Sequence, residues 1–353
     1  MNIKLLKLQT GKALLLLFLF VHCKHSAMAQ HPTVPETEKE ESLVKWLTFE
    51  EADGKNKLMP KPFIIDFYTD WCGWCKVMMK NTYSNPGIAA YLNANFYAIK
   101  VDAETKDTLE YDGVKYGPTG KEKRDPNALA VKLLDGKMMY PSTLFVNKAA
   151  NFSMIAQGYL EPVKIEPMLV FTLENAFRSS SYDDFKENFD KAFNDSINTL
   201  HANKVNWLKP IEFFNEKPDT KKKSLVFIHT TWCNSCRVMY NTTFSDSLPF
   251  AFIKEKFNLV DFNPENRDVL FYNGQKFEPS VNASNSFHPL VNVLNKNNFI
   301  MPELVVLDEA GKILDAIPFY LNPKTFNDIA HFYGDDIFKT KSWKEFIEQK
   351  SKR

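Results

Sequence analysis

The stretch DFYTDWCGWCKVMM runs from Asp66 to Met79. It starts inside the run PFIIDFYT (from Pro62), whose β-branched and aromatic residues behind a Pro read as a buried strand. It then passes through Cys72 and Cys75 into a segment that reads as helix from about Trp74 to Tyr83. A second stretch, TTWCNSCRVMYNTTF from Thr230, repeats the pattern of Trp-Cys-x-x-Cys, a basic residue, Val and Met. Cys233 follows Cys72 by 161 positions. The same offset carries Val44, Trp46 and Leu47 onto Val205, Trp207 and Leu208, and Phe96 onto Phe257. It carries EYDGVKYGP (from Glu110) onto FYNGQKFEP (from Phe271), Pro141 onto Pro302, and YLEP (from Tyr159) onto YLNP (from Tyr320). No gap is needed from about residue 44 to about 190. A repeat of this period is a duplicated domain rather than a solenoid, whose units run about 20–50 residues.

One unit reads as follows. WLTFEEA from Trp46 is a short helix, PFIIDFYT a strand, and the Cys pair opens a helix. PGIAAYLNAN from Pro86 is helical and FYAIKVDAE from Phe96 is a strand. YDGVKY is a β-hairpin turning at Asp112-Gly113, with Asn273-Gly274 as its counterpart. NALAVKLL from Asn127 is helical, and STLFVN (from Ser142) and FSMIAQGY (from Phe152) are strands. This order of helices and strands is an α/β layer around a central sheet. With 353 residues, two such units fit. The expected limits are 42–192 and 205–353, joined by a connector over 193–204 that reads as helix to helix.

The N-terminus reads as a cleaved export signal covering 1–29. Lys4, Lys7 and Lys12 flank the apolar core ALLLLFLFV (Ala13 to Val21), and Ala27 and Ala29 form an A-x-A site before Gln30. The core is short for a membrane span of about 20 residues. An uncleaved anchor, or a lipid on Cys23 behind the ill-fitting His22, are the other readings. Residues 30–41, containing HPTVPETEKEE, form a polar, flexible leader. The expected location is the periplasm or another exported compartment, where disulfides persist. A net charge of +1 gives no long-range pull toward nucleic acid.

Once Cys23 leaves with the signal, four cysteines remain, as two C-x-x-C pairs. A loop of two residues is too tight to staple a fold, so the pairs point to chemistry. A thiol that attacks disulfides must be a thiolate near neutral pH, and a helix N-terminus lowers its pKa. Cys72 and Cys233 stand at the strand-to-helix junction as nucleophiles. Cys75 and Cys236, one turn inward, can resolve the mixed disulfide. The spacing between pairs is far longer than the about 15–20 residues usual in a Cys₄ zinc site. Lys76 and Arg237 stand where covalent haem attachment needs His.

IIDFYTDWCGWCK together with YPSTLFV resembles the thioredoxin family. In detail the first unit is most similar to the C-terminal thioredoxin domain of the bacterial transmembrane Dsb reductase and related exported proteins. The resemblance covers nearly all of each unit and implies two tandem thioredoxin folds, each a central mixed β-sheet flanked by helices. It implies that Pro141 and Pro302 are cis and face the Cys pairs, with Tyr140 and Met301 presenting backbone to an extended substrate. It also implies that Asp66, six residues before Cys72, takes the proton of Cys75 when burial raises its pKa. A plainer reading leaves Asp66 bonding backbone at a sheet edge.

In the second unit Phe227 stands at that position, and His229 is the nearest substitute or simply a core or surface residue. Trp71 and Trp232 either pack or contact substrate. The expected activity is exported thiol–disulfide exchange, as reductase or isomerase, with the first unit the more active. It needs no cofactor beyond the redox-active disulfides. The expected partners are proteins bearing disulfides or thiols and a membrane redox partner. The alternative is a binding module that holds client proteins or Cu(I) without turnover.

Overall fold

The computed structural model describes residues 42–194, 205–216, 221–244, 250–279, 287–297 and 300–352. The expected signal, the leader and most of the connector lie outside these residues.

In the first half, β1 (Trp46–Leu47), β2 (Phe63–Tyr68), β3 (Tyr97–Asp102), β6 (Ser142–Asn147) and β7 (Phe152–Gln157) form one sheet in the order β1-β3-β2-β6-β7. β1, β3 and β2 run parallel, whereas β6 and β7 pair antiparallel. β4 (Leu109–Tyr111) and β5 (Val114–Tyr116) form the separate hairpin. Its turn places Asp112 and Gly113 at positive φ, the geometry that suits Asp-Gly. The helices are α1 (Phe49–Leu58), α2 (Gly73–Met78), α3 (Pro86–Asn95), α4 (Ala128–Leu133), α5 (Pro162–Leu173) and α6 (Tyr182–Asn194).

Two local readings change. Trp46 and Leu47 add a strand to the sheet edge, and helix α1 starts only after Thr48, whose side chain forms a capping box with Glu51. The helix after the Cys pair is not continuous. α2 gives way to a π-turn over Met79–Tyr83, a distortion that often marks functional sites.

The second half repeats the plan. β8 (Lys223–Ile228), β9 (Phe257–Phe262), β12 (Glu303–Leu307) and β13 (Ile313–Pro318) form a sheet in the order β13-β12-β8-β9. β10 (Leu270–Tyr272) and β11 (Gln275–Phe277) are the hairpin, turning at Asn273-Gly274. The helices are α7 (Pro210–Glu216), α8 (Asn234–Val238), α9 (Phe250–Lys256), α10 (Pro289–Leu294), α11 (Pro323–Gly334) and α12 (Trp343–Ser351). A π-turn over Met239–Thr243 follows α8. Trp207 and Leu208, counterparts of β1, make only a single bridge, from Leu208 to Val260.

Strand alternation sets what each sheet face buries. In β2, Phe63, Ile65 and Phe67 face the layer of α1 and α4, while Ile64 faces a layer holding Met78, Tyr83 and Leu92. Asp66 shares the face of Ile64. In β8, Val226 and Ile228 face Phe214 and Leu290, whereas Leu225 and Phe227 face Cys236, Met239 and Phe326.

That last cluster crosses between the halves. Val170 and Phe171 of α5, and Phe185, Phe189 and Ala192 of α6, are buried in the same core as Leu225, Phe227 and Tyr320. The Phe185 ring meets Phe171 at 5.3 Å and Tyr320 at 5.1 Å. Asn241 donates to the Ala192 carbonyl at 3.2 Å, and Arg237 lies over the Phe193 ring at 4.4 Å. Helix α6 therefore packs on the layer of the second sheet that holds Cys233 and Cys236. Among the described residues, no helix is long and apolar enough to cross a membrane.

Candidate active site

Each Cys pair sits where a central strand gives way to a short helix. In the first half the chain leaves β2, turns at Thr69 to Cys72, and Cys72 becomes the N-cap of α2. The Cys75 N–H donates to Cys72 Sγ at 3.1 Å, and the two sulfurs are joined as a disulfide. The orphan N–H groups of the first turn favour negative charge on Cys72 once it is reduced. The second half repeats this: Cys233 caps α8, the Cys236 N–H donates to Cys233 Sγ at 3.2 Å, and the pair is a disulfide.

Asp66 is 2% exposed on the sheet face that carries the π-turn. Burial raises its carboxyl to about 7, against the lowering effects of a hydrogen bond from Tyr83 and the charge of Lys100. The Tyr83 hydroxyl donates to Asp66 Oδ1 at 3.1 Å and lies 3.4 Å from the Thr143 hydroxyl. Thr143 is also the register partner of Asp66 across β2 and β6. Asp66 is thus a core carboxyl held by side chains, not a sheet-edge residue bonded to backbone.

Applying the 161-residue offset to these three positions gives Phe227, Phe244 and Leu304. All three are buried and apolar, and the two phenylalanine rings meet at 4.7 Å. The second half has apolar residues at all three positions of the polar triad. His229 does not restore it. Its Nε2 is 2.6 Å from Asp261 Oδ1, and its ring stacks on Phe227 at 4.8 Å.

Tyr83 was not singled out from sequence, although the paired change at 83 and 244 was there to be read. Because the second half places Phe at this site, Tyr83→Phe should fit without strain. Loss of about 1 kcal/mol of hydrogen bond to the ionised form should move the Asp66 titration upward by roughly 0.7 pH unit. The expected result is a matching upward shift in the pH profile of exchange at the first pair. An unchanged profile would show that Tyr83 does not govern Asp66.

The surroundings of the pairs also differ. Trp71 and Trp74 are 54% and 62% exposed. Trp71 Nε1 donates to Glu104 at 2.9 Å, its ring is edge-on to Tyr140 at 6.2 Å, and Arg124 lies over it at 5.2 Å. Trp74 stacks with Tyr159 at 5.7 Å. The Tyr140–Pro141 bond is cis, and the Pro141 carbonyl accepts from Gly158 at 2.8 Å. This leaves an aromatic frame, Trp71 and Trp74, open to solvent beside Cys72, which is itself 5% exposed, against 3% for Cys233. Beside it, a 400 Å³ cleft is lined by Asp70, Trp71, Glu104 and Arg124, among others.

In the second half Trp232 keeps its Glu partner, donating to Glu265 at 3.0 Å, and Met301–Pro302 is also cis. The rest of the frame is gone. Ser235 stands for Trp74 and is fully buried; Tyr320 stands for Tyr159 and is buried against Phe185; Met301 stands for Tyr140 and packs on the shared core.

Glu174, directly after α5 in the first half, reaches the start of α8. It accepts from the Asn234 N–H at 3.1 Å, from the Ser235 N–H at 2.7 Å and from the Ser235 hydroxyl. Its Oε2 lies 3.7 Å from Cys233 Sγ. Burial lifts the Glu174 carboxyl above its usual range, opposed by the hydrogen bonds from Ser235 and Asn234. Nothing in the sequence signalled this contact, which joins residues about 60 positions apart.

A family model named Thioredox_DsbH, described as "Protein of unknown function, DUF255", matches residues 31–116, which hold the first Cys pair and not the second. An uncharacterized protein of Caenorhabditis elegans, B0495.5, is 39% identical over 61 residues, which are 17% of this chain and 8% of that protein. Among solved structures, the thioredoxin of Thermus thermophilus is similar over 36% of this chain and 84% of its own, with 16% identity and a TM-score of 0.26. The oxidised C-terminal domain of Neisseria meningitidis DsbD is similar over 35% of this chain and 90% of its own, with 21% identity and a TM-score of 0.25. Full-length ERdj5 is similar over 82% of this chain and 32% of its own, with 13% identity and a TM-score of 0.28. The thioredoxin-like α/β fold itself stands on the sheet order, the helix-capping Cys pairs and the cis-prolines described above.

Proposed function

We propose that the chain is a thiol–disulfide oxidoreductase that acts through Cys72 and Cys75 on protein clients, as a reductase or isomerase. The observation that carries this reading is a helix-capping Cys pair, inside an open aromatic frame, on a sheet face that holds a buried carboxyl with a pKa of about 7. In the reducing direction, the Cys72 thiolate attacks a client disulfide. A mixed disulfide forms, and one client sulfur leaves as thiolate and takes a proton. Cys75 then gives its proton to Asp66 and attacks Cys72 Sγ. The Cys72–Cys75 disulfide forms, and the second client sulfur departs with the electron pair. Trp71, Tyr140 and Pro141 are the surfaces against which an extended client segment would lie.

Export to a disulfide-permitting compartment, and a membrane partner that resupplies electrons, belong to the same proposal. They are motivated by the N-terminal sequence and by the need to re-reduce the pair after each turnover. The second pair has Phe227 where the first has Asp66, and it lacks the open frame, so the halves are assigned unequal work.

The test is reduction of insulin disulfides with dithiothreitol as supplied reductant. The intact protein is compared with Cys72→Ser/Cys75→Ser and Cys233→Ser/Cys236→Ser variants. The first variant is expected to lose activity at least about 100-fold, in the range that removal of the reacting group produces. The second should keep more than half. No stimulation by the intact protein would sink the enzyme reading, and equal losses would sink the unequal halves.

A further inference from the structure

The face of the second half that carries Cys233 and Cys236 corresponds to the open face around Cys72. It is already occupied. We propose that this face has become the docking surface for the first half, with Glu174 as its built-in ligand, so that Cys233 is shut off from clients while the halves stay packed.

Four features support this. The N–H groups of Asn234 and Ser235, which open α8, are both taken by the Glu174 carboxyl oxygens, and the Ser235 hydroxyl closes on the same oxygen as its own N–H. The equivalent residues in the first half, Gly73 and Trp74, are exposed, whereas Ser235 is fully buried. The aromatic residues of α5 and α6 seal the surrounding surface: Phe171, Phe185 and Phe189 share one core with Cys233, Cys236 and Tyr320. The Ser179 hydroxyl also donates to the Tyr320 carbonyl, fixing the chain just beyond Glu174 to the segment that follows β13.

The consequence for reactivity follows from charge and access. Adding two electrons and two protons to the Cys233–Cys236 disulfide gives two thiols, while a dithiol reductant closes to its own disulfide. Exchange then requires Cys233 to lose its proton. The resulting thiolate would stand beside the Glu174 carboxylate, now 3.7 Å from its sulfur. The like charges oppose the help that the α8 N-terminus gives. An attacking or attacked sulfur also needs room on Cys233, and access is one of the factors that set exchange rates. Glu174 acts on both counts: it blocks, and it repels.

The experiment uses the full chain, reduced with dithiothreitol, freed of reductant and treated with iodoacetamide at neutral pH. Labelling of the Cys72 and Cys233 peptides is timed by mass spectrometry. In the intact protein, Cys233 should label at least tenfold more slowly than Cys72. Glu174→Ala empties the site. Glu174→Gln keeps the size but removes the charge and sets an NH₂ group against one of the two N–H donors. Each should speed Cys233 labelling at least tenfold and leave Cys72 unchanged within twofold. The Cys72 rate is the internal check that the protein is folded. Equal labelling of the two cysteines in the intact protein would overturn the proposal. So would slow Cys233 labelling in both folded variants. The inference rests on the first pair being the exchanging one, but labelling needs no turnover. A protein inactive on insulin whose Cys233 is freed by these substitutions would defeat the activity reading and leave this one standing.

Discussion

Asp66→Asn should make the protein more stable and the first Cys pair slower, both by large amounts. Asp66 is buried, and its carboxyl sits at about 7 instead of 3.8. The folded state holds the proton more tightly than the unfolded chain does. Any favourable contribution from Asp66 is therefore present below pH 4 and is lost as pH rises through about 7. Above that, folding carries the full cost of a buried charge. The gap of roughly three units corresponds to about 4 kcal/mol as an upper figure.

Asparagine keeps the acceptor for Tyr83 and removes the charge. Urea unfolding at pH 8 should show Asp66→Asn more stable by up to about 4 kcal/mol, and at pH 4 little different. Glu303 is buried with Oε2 unbonded among the described residues and raised by burial to about 7. It gives the parent protein a slope of the same sign, so the variant should narrow that slope rather than abolish it. The cost appears in chemistry. Without a proton acceptor for Cys75, release of a trapped mixed disulfide should slow by about 10²-fold, the low end for general base catalysis. Equal stability of the two proteins at pH 8 would refute the buried-charge account. Unchanged release would remove Asp66 from the mechanism.

Phe185→Ala should destabilise the protein by about 3–5 kcal/mol, as expected for an aromatic lost from a packed core. Phe185 is fully buried, with Phe171, Phe189 and Tyr320 around it. Its helix belongs to the first half by sequence, but its contacts reach into the second. Hydrogen exchange should therefore show the loss mainly at α8 and the following π-turn, rather than at β2 and β3. A loss below about 1 kcal/mol, or protection lost only around β2, would mean that the contact between the halves carries little energy.

The sequence displayed the parts of this molecule that depend on neighbours along the chain. β2 was legible because FIIDFY is rich in β-branched and aromatic residues behind a Pro, and the hairpins because Asp-Gly and Asn-Gly tolerate positive φ. The Cys pairs and the missing acid at Phe227 were legible from spacing and offset. The parts that depend on distant packing were hidden. Trp46 and Leu47 read as helix because nothing local says that β3 offers them an edge. The π-turn that brings Tyr83 to Asp66 has no compositional mark. Glu174 looked like any acidic residue near a helix end, and the amphipathic α6 gave no sign of which sheet it would cover.

The aromatic core shared between the halves has a further consequence, for inheritance. Two interchangeable copies could be shuffled, lost or expressed alone. Here, separation would strip α6 from the second sheet and expose Phe185, Phe189 and Tyr320 together, an apolar patch of the kind that drives aggregation. The repeat still visible in the letters no longer marks a place where the protein can be cut.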